Sequence, residues 1–138
     1  MLLLAALLVM SGKPASANTP PPGIFGTFTK FEVDDTVGGS GDFGGYEVVV
    51  LPGRDHPNVV FTCASGDIQD PVLVPAKVEG QAISFDVPAG PSPGCPGHYV
   101  ARLSGNALVL TIGDATTRLP RHRSYWAPKV AVAKGGTH

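Results

Sequence analysis

The densest group of side chains suited to binding lies near the end of the chain. It contains three arginines and two aromatic residues: Arg118, Arg121, Arg123, Tyr125 and Trp126. These residue types are enriched at binding hot spots, and the set would suit an anionic polysaccharide, a lipid head group or the acidic N-terminal half of the chain. We predict an exposed cationic patch for an anionic partner, with Arg121, Arg123 and Tyr125 in one row and Trp126 on the opposite side.

Other polar residues do not have the spacing of a catalytic or metal-binding motif. The four histidines are His56, His98, His122 and His138. They lack H-x-x-x-H spacing, so each is expected at the surface. Residues 38–41 lack the ending of a phosphate loop, and Asp42 stands where a nucleophile elbow around Ser40 needs glycine. Asp34, Asp35 and Asp42 do not match an EF-hand loop. We therefore expect a non-enzymatic protein without metal or cofactor.

The two cysteines, Cys63 and Cys95, indicate a disulfide. The first seventeen residues predict export, and a pair of cysteines in an exported protein more often forms a bridge than a metal or catalytic site. The bridge would close a loop of about 33 residues and stabilise the fold by about 3–4 kcal/mol in the chain-entropy model.

Charge is unevenly distributed along the sequence. Ten acidic and three basic residues lie between Asn18 and Pro96, whereas six basic residues and one acidic residue lie between Gly97 and the end. The formal net charge of the whole chain is −1, which does not favour a nucleic-acid partner. One interpretation is that the two halves lie side by side and neutralise each other.

The elements that must position these residues are short strands with turn residues between them. Strands are predicted at 26–33, 47–51, 59–63, 72–78, 82–87, 98–103, 107–112 and 115–119. Ile83 and Phe85 alternate with Asp86, so the first two are expected in the core and Asp86 in solvent. Pro75 predicts an edge strand or a bulge. The spacing predicts an all-β fold, a small antiparallel meander forming a barrel or half-barrel of about eight strands, with a sandwich as the alternative.

A barrel offers an interior in which a small apolar or amphiphilic ligand could bind. The candidate lining residues are Phe28, Phe61, Phe85 and Tyr99. In the alternative interpretation the chain is a protein-interaction module, such as an inhibitor of an extracellular hydrolase. The loop 88–96, attached through Cys95, would then act as a pre-organised wedge. Trp126 has an alternative role as a core plug at the barrel end, with the arginines simply solvated.

The N-terminal residues have the order of a secretory signal peptide. An apolar run, Leu2–Met10, precedes the small-x-small sequence Ala15-Ser16-Ala17 and is too short to span a bilayer. We predict a signal peptide at 1–17, a proline-rich spacer at 18–25, one β-domain at 26–126 and a loose tail at 127–138. The mature protein would be secreted or periplasmic and not membrane-spanning.

The predicted layout combines an export signal, a glycine-rich first loop, a meander of strands and a single bridge. In this layout the chain resembles small secreted bacterial lipocalin-like proteins. Two segments, GDFGGYEVVVLPG (residues 41–53) and LPRHRSYW (residues 119–126), resemble recurrent segments of uncharacterised exported proteins. Lipocalins carry Gly-x-Trp near the first strand, whereas this chain has phenylalanine in that place, in Gly26-Thr27-Phe28. The resemblance implies an exported β-barrel and brings no catalytic or binding motif.

Overall fold

A computed structural model of the protein describes residues 19–33, 41–90 and 95–127. The predicted signal peptide, Asp34, Asp35, Ser40, the middle of the loop 88–96 and the tail after Ala127 lie outside these residues. Within the described ranges, no helix is long and apolar enough to cross a membrane.

The described residues form one antiparallel sheet of eight strands. The strands are β1 (Gly26–Val33), β2 (Phe43–Leu51), β3 (Asn58–Ile68), β4 (Val72–Glu79), β5 (Ala82–Val87), β6 (Gly97–Ser104), β7 (Ala107–Ile112) and β8 (Ala115–Pro120). Each strand pairs with the next along the chain. A bridge between Phe28 and Arg121 joins β1 to the residue after β8. The sheet is therefore a nearly closed barrel, which confirms the predicted all-β antiparallel fold.

Alternation along the strands separates a core face from an outer face. Ile83 and Phe85 are 0% and 2% exposed, whereas Asp86 between Phe85 and Val87 is exposed. The predicted phase of β5 is thus confirmed. The physical reason is that successive side chains of a strand point to opposite faces, so only one phase removes the apolar set from water.

β2 begins four residues earlier than predicted, so Gly44 and Gly45 belong to the strand. Gly45 pairs with Phe31 of β1. Its backbone φ of 132° is one that residues other than glycine rarely adopt. A Cβ at this position would lie 2.0 Å from the carbonyl oxygen of Lys30. Glycine is therefore required for the close approach of the two strands.

Pro75 was predicted to mark an edge strand or a bulge, and the edge strand is wrong because β4 lies between β3 and β5 in the sheet. It pairs with Asn58 at the end of the β3–β4 ladder, and the β4–β5 ladder begins at the next residue, Ala76. The proline is tolerated because it lies where pairing passes from one neighbour to the other, and a missing N–H donor disrupts a ladder least at its end.

The predicted disulfide between Cys63 and Cys95 is present, with Cα atoms 6.4 Å apart. It joins β3 to the loop that precedes β6. The hydroxyl of Tyr99 donates a hydrogen bond of 2.7 Å to the carbonyl oxygen of Cys95. Burial, with a smaller contribution from Tyr46, raises the pKa of Tyr99 to about 12. The phenol therefore stays protonated and holds this loop against the core.

Candidate functional site

Three of the four residues predicted to line an interior site form one packed ring cluster. The ring centroids of Phe61 and Tyr99 are 4.6 Å apart, and those of Phe85 and Tyr99 are 5.4 Å apart. Phe28 is buried elsewhere in the core, with the guanidinium of Arg121 4.4 Å from its ring centre. The four residues thus contribute to the core, and their role in ligand binding stays a prediction.

Arg118 lies in β8 and Arg121 directly follows it. They point to opposite faces because they are three positions apart in an extended chain. Arg118 is exposed and donates to the carbonyl oxygen of Ser104 at 3.2 Å. Arg121 donates to the carbonyl oxygens of Gly23 and Phe25. The structure therefore does not bring the three arginines together on one face. Arg121 instead closes the barrel end over Phe28.

After Arg121 the chain leaves the sheet and crosses the outer face of β1–β3. We call residues 122–127 the strap. Its anchor is Glu47, a carboxylate on β2 that is 1% exposed. The hydroxyl of Ser124 donates to Glu47 Oε1 at 2.6 Å, and the backbone N–H of Tyr125 donates to Oε2 at 2.7 Å. Two charge-assisted hydrogen bonds thus hold the strap on the barrel.

Aromatic rings extend this attachment along the outer face. The ring centroid of Tyr125 lies 5.4 Å from that of Phe31 and 6.1 Å from that of Phe43. The indole N–H of Trp126 donates to Thr62 Oγ1 at 3.3 Å. Tyr125 and Trp126 therefore lie on the same face of the sheet, where opposite sides were predicted, and Trp126 is not a plug at the barrel end.

An open groove runs between β1 and the strap, and we call it the seam groove. Its volume is about 630 Å³. The lining residues are Thr29, Lys30, Phe31, His122, Arg123, Ser124 and Tyr125. It therefore includes two members of the predicted patch, Arg123 and Tyr125, and places them beside β1.

One buried hydroxyl in the wall of the seam groove has no hydrogen-bond partner among the described residues. Thr29 is 9% exposed, and its Oγ1 is the buried side-chain polar atom without a partner among the described residues. A buried hydroxyl without a partner costs about 1–3 kcal/mol by mutational measures, so such atoms are rare in folded proteins. This is the feature of the groove that points most directly to a bound molecule.

Sequence reasoning missed Thr29, Phe31 and Glu47 as functional candidates. One signal was present for Glu47, because a carboxylate interrupts the apolar run of β2, where a charge is rarely buried without a specific partner. For Thr29 and Phe31 the strand pattern indicates an outward face, but it does not show that the strap covers that face.

A second cleft of about 420 Å³ lies over the outer face of β4–β6. In it, Nδ1 of His98 is 2.8 Å from Oδ1 of Asp86, and both side chains are mostly exposed. His56 and His122 are also exposed, as predicted for the surface. The described parts of the chain contain no group of three or more His, Cys, Asp or Glu residues that could hold a metal ion.

The proposed wedge loop, 88–96, is described only at its ends. Cys95 has a φ of 49° and is attached to β3 through the disulfide. Residues 91–94 lie outside the described ranges, so the role of this loop in binding a hydrolase stays a prediction.

Comparisons of this chain with protein-family models, with curated proteins and with solved structures found no match. The resemblance to lipocalin-like proteins therefore stays a prediction, and the function is argued from the geometry of the seam groove.

Proposed function

We propose that the chain is an exported, non-enzymatic binding protein that holds a small amphiphilic molecule in the seam groove. The observation that carries the proposal is the buried Oγ1 of Thr29, which has no partner among the described residues. A ligand with a polar atom near this hydroxyl would supply the missing hydrogen bond.

The remaining walls of the groove suit an amphiphile. Phe31 and Tyr125 supply aromatic surface, and the exposed Arg123 supplies a cation at the rim. Small-molecule sites typically have volumes of about 300–1,000 Å³ with apolar walls and a few polar groups. The groove has these properties, whereas the rings of Phe61, Phe85 and Tyr99 pack against one another in the interior.

The groove also has a local structural basis for holding its shape. Ser124 hydrogen-bonds Glu47, so its hydroxyl positions the strap. β1 forms the opposite wall and pairs with β2 along its whole length, from Gly26 to Val33. A site between a strand and an anchored segment is partly pre-formed, which lowers the entropic cost of binding.

Export is the second part of the proposal. The disulfide in the structure is compatible with an extracellular or periplasmic location, because such bonds persist in oxidising compartments. The order of the first seventeen residues supports cleavage by a signal peptidase. We expect N-terminal sequencing of the stable protein to begin at Asn18, and recovery of Met1 would contradict export through this signal.

Native mass spectrometry of the protein purified from its own host tests the binding function. We expect a retained small-molecule mass in the wild type and its loss in Thr29→Val, which removes the hydroxyl but keeps the shape. The matched control is Thr116→Val, at an exposed position on β8.

Three results would count against the proposal. They are the absence of a retained mass in the wild type, equal retention by Thr29→Val, and a co-purifying protein in place of a small molecule. The last result would favour the protein-interaction alternative.

A further inference from the structure

We infer that the ligand of the seam groove is an anionic amphiphile, whose carboxylate or comparable anionic group binds the guanidinium of Arg123. This inference rests on the proposed function and names the chemical class of the ligand. It follows from how the arginines near the groove are used.

Two of the three arginines donate to acceptors within the protein. Arg118 donates to Ser104. Arg121 donates to Asn106 Oδ1 at 3.0 Å and to Phe25 O at 2.9 Å. Among the residues that the structure describes, Arg123 has neither a hydrogen bond nor an ion pair for its side chain. It is exposed and lines the groove, so its guanidinium can bind an external anion.

The nearby charged side chains have partners within the protein. Lys30 alternates with Thr29 and Phe31 along β1, so its side chain leaves the strand on the other face, where its Nζ is 3.1 Å from Glu32 Oε1. His122 lies beside Arg123 and is exposed. Glu47 is the acidic residue that pairs with Thr29 across the β1–β2 ladder. Both of its oxygens accept hydrogen bonds from the strap, and it is 1% exposed.

This arrangement assigns a place to each part of the ligand. The apolar body lies along Phe31 and Tyr125, and the anionic group lies at the Arg123 end of the groove. A guanidinium forms charge-assisted, bidentate hydrogen bonds to a carboxylate. Thr29 can donate to one carboxylate oxygen, and the positive charge of Arg123 offsets the repulsion from Glu47.

The test uses three probes with the same ten-carbon chain: decanoate, decan-1-ol and decyltrimethylammonium. Trp126 is the single tryptophan of the chain and contacts Tyr125 with ring centroids 5.1 Å apart. Its fluorescence therefore reports binding in the groove. The protein is the full mature chain, cleared of retained ligand beforehand.

We expect decanoate to bind about tenfold or more tightly than decan-1-ol, as expected for one charged hydrogen-bonding contact. Arg123→Gln is expected to reduce decanoate affinity to that of decan-1-ol and to leave decan-1-ol binding unchanged. The matched control, Arg102→Gln, changes an exposed arginine on β6 and is expected to have no effect. Added salt should weaken decanoate binding to the wild type. This salt dependence tests the charge interaction without any substitution.

The inference and the proposed function fail in different ways. Equal binding of decan-1-ol and decanoate, with loss of both in Thr29→Val, would overturn the anionic class but support the groove. Preferential binding of decyltrimethylammonium would also overturn the anionic class of the ligand while supporting the seam groove as a binding site. If no probe changes the fluorescence of Trp126, the inference is overturned, and a native mass spectrum without retained ligand would then overturn the proposed function too.

Discussion

Replacing Glu47 with alanine is expected to release the strap from the barrel while the eight strands stay paired. Glu47 accepts hydrogen bonds of 2.6 Å from Ser124 and 2.7 Å from Tyr125. Its side chain contacts a segment that follows β8, so the ladders do not depend on it. The perturbation therefore separates the docking of residues 122–127 from the folding of the sheet.

The magnitude follows from the two bonds. Hydrogen bonds to a charged group contribute about 1.5–3 kcal/mol each, so the anchor contributes about 3–6 kcal/mol to holding the strap. These contributions are already net of the hydrogen bonds that the released groups make to water. We therefore expect Trp126 to become solvated, with a loss of global stability of at most about 3–6 kcal/mol and a corresponding fall in Tm.

Trp126 fluorescence and acrylamide quenching measure this release. In the docked strap the indole of Trp126 lies against β3 and donates to Thr62, so release of the strap exposes it to solvent. We expect red-shifted emission and stronger quenching in Glu47→Ala. The control Glu32→Gln alters an exposed carboxylate paired with Lys30, and an exposed pair contributes little. Emission and quenching like those of the wild type in Glu47→Ala would refute the anchoring role.

Three further predictions concern the core. Replacing Cys63 and Cys95 together with serine should lower the free energy of unfolding by about 3–4 kcal/mol, and unchanged thermal unfolding would contradict this. Phe85→Ala should cost about 3–5 kcal/mol in denaturant unfolding, because the ring is 2% exposed; a loss below about 1 kcal/mol would argue against a packed site. Burial raises the pKa of Tyr99 from 10.0 to about 12, so the unfolded chain loses the phenol proton at a lower pH than the folded protein does. The free energy of unfolding of the wild type should therefore fall as the pH rises from about 10 to about 12. Tyr99→Phe should remove this part of the fall, and identical pH profiles would refute it.

The sequence by itself determined the features that depend on neighbours along the chain. Alternation of apolar and polar residues, as at Ile83, Phe85 and Asp86, was enough to predict strands and their buried face, because the side-chain period of a strand is local. Turn residues between the strands predicted a meander, in which each strand pairs with the next. With two cysteines in the chain, one intrachain pairing was available for the disulfide.

Only the tertiary structure decided where the segment after β8 goes. Arg121 turns inward because its strand meets β1 at Phe28, a contact between residues far apart in sequence. The same closure directs the strap across β1–β3, where Glu47 accepts its hydrogen bonds. The patch predicted from five neighbouring residues is therefore divided. Arg118 and Arg121 bond within the protein, Trp126 donates to Thr62 on the outer face of β3, and Arg123 and Tyr125 line the seam groove. Local spacing cannot specify this division, because it depends on which distant strand the end of the chain meets.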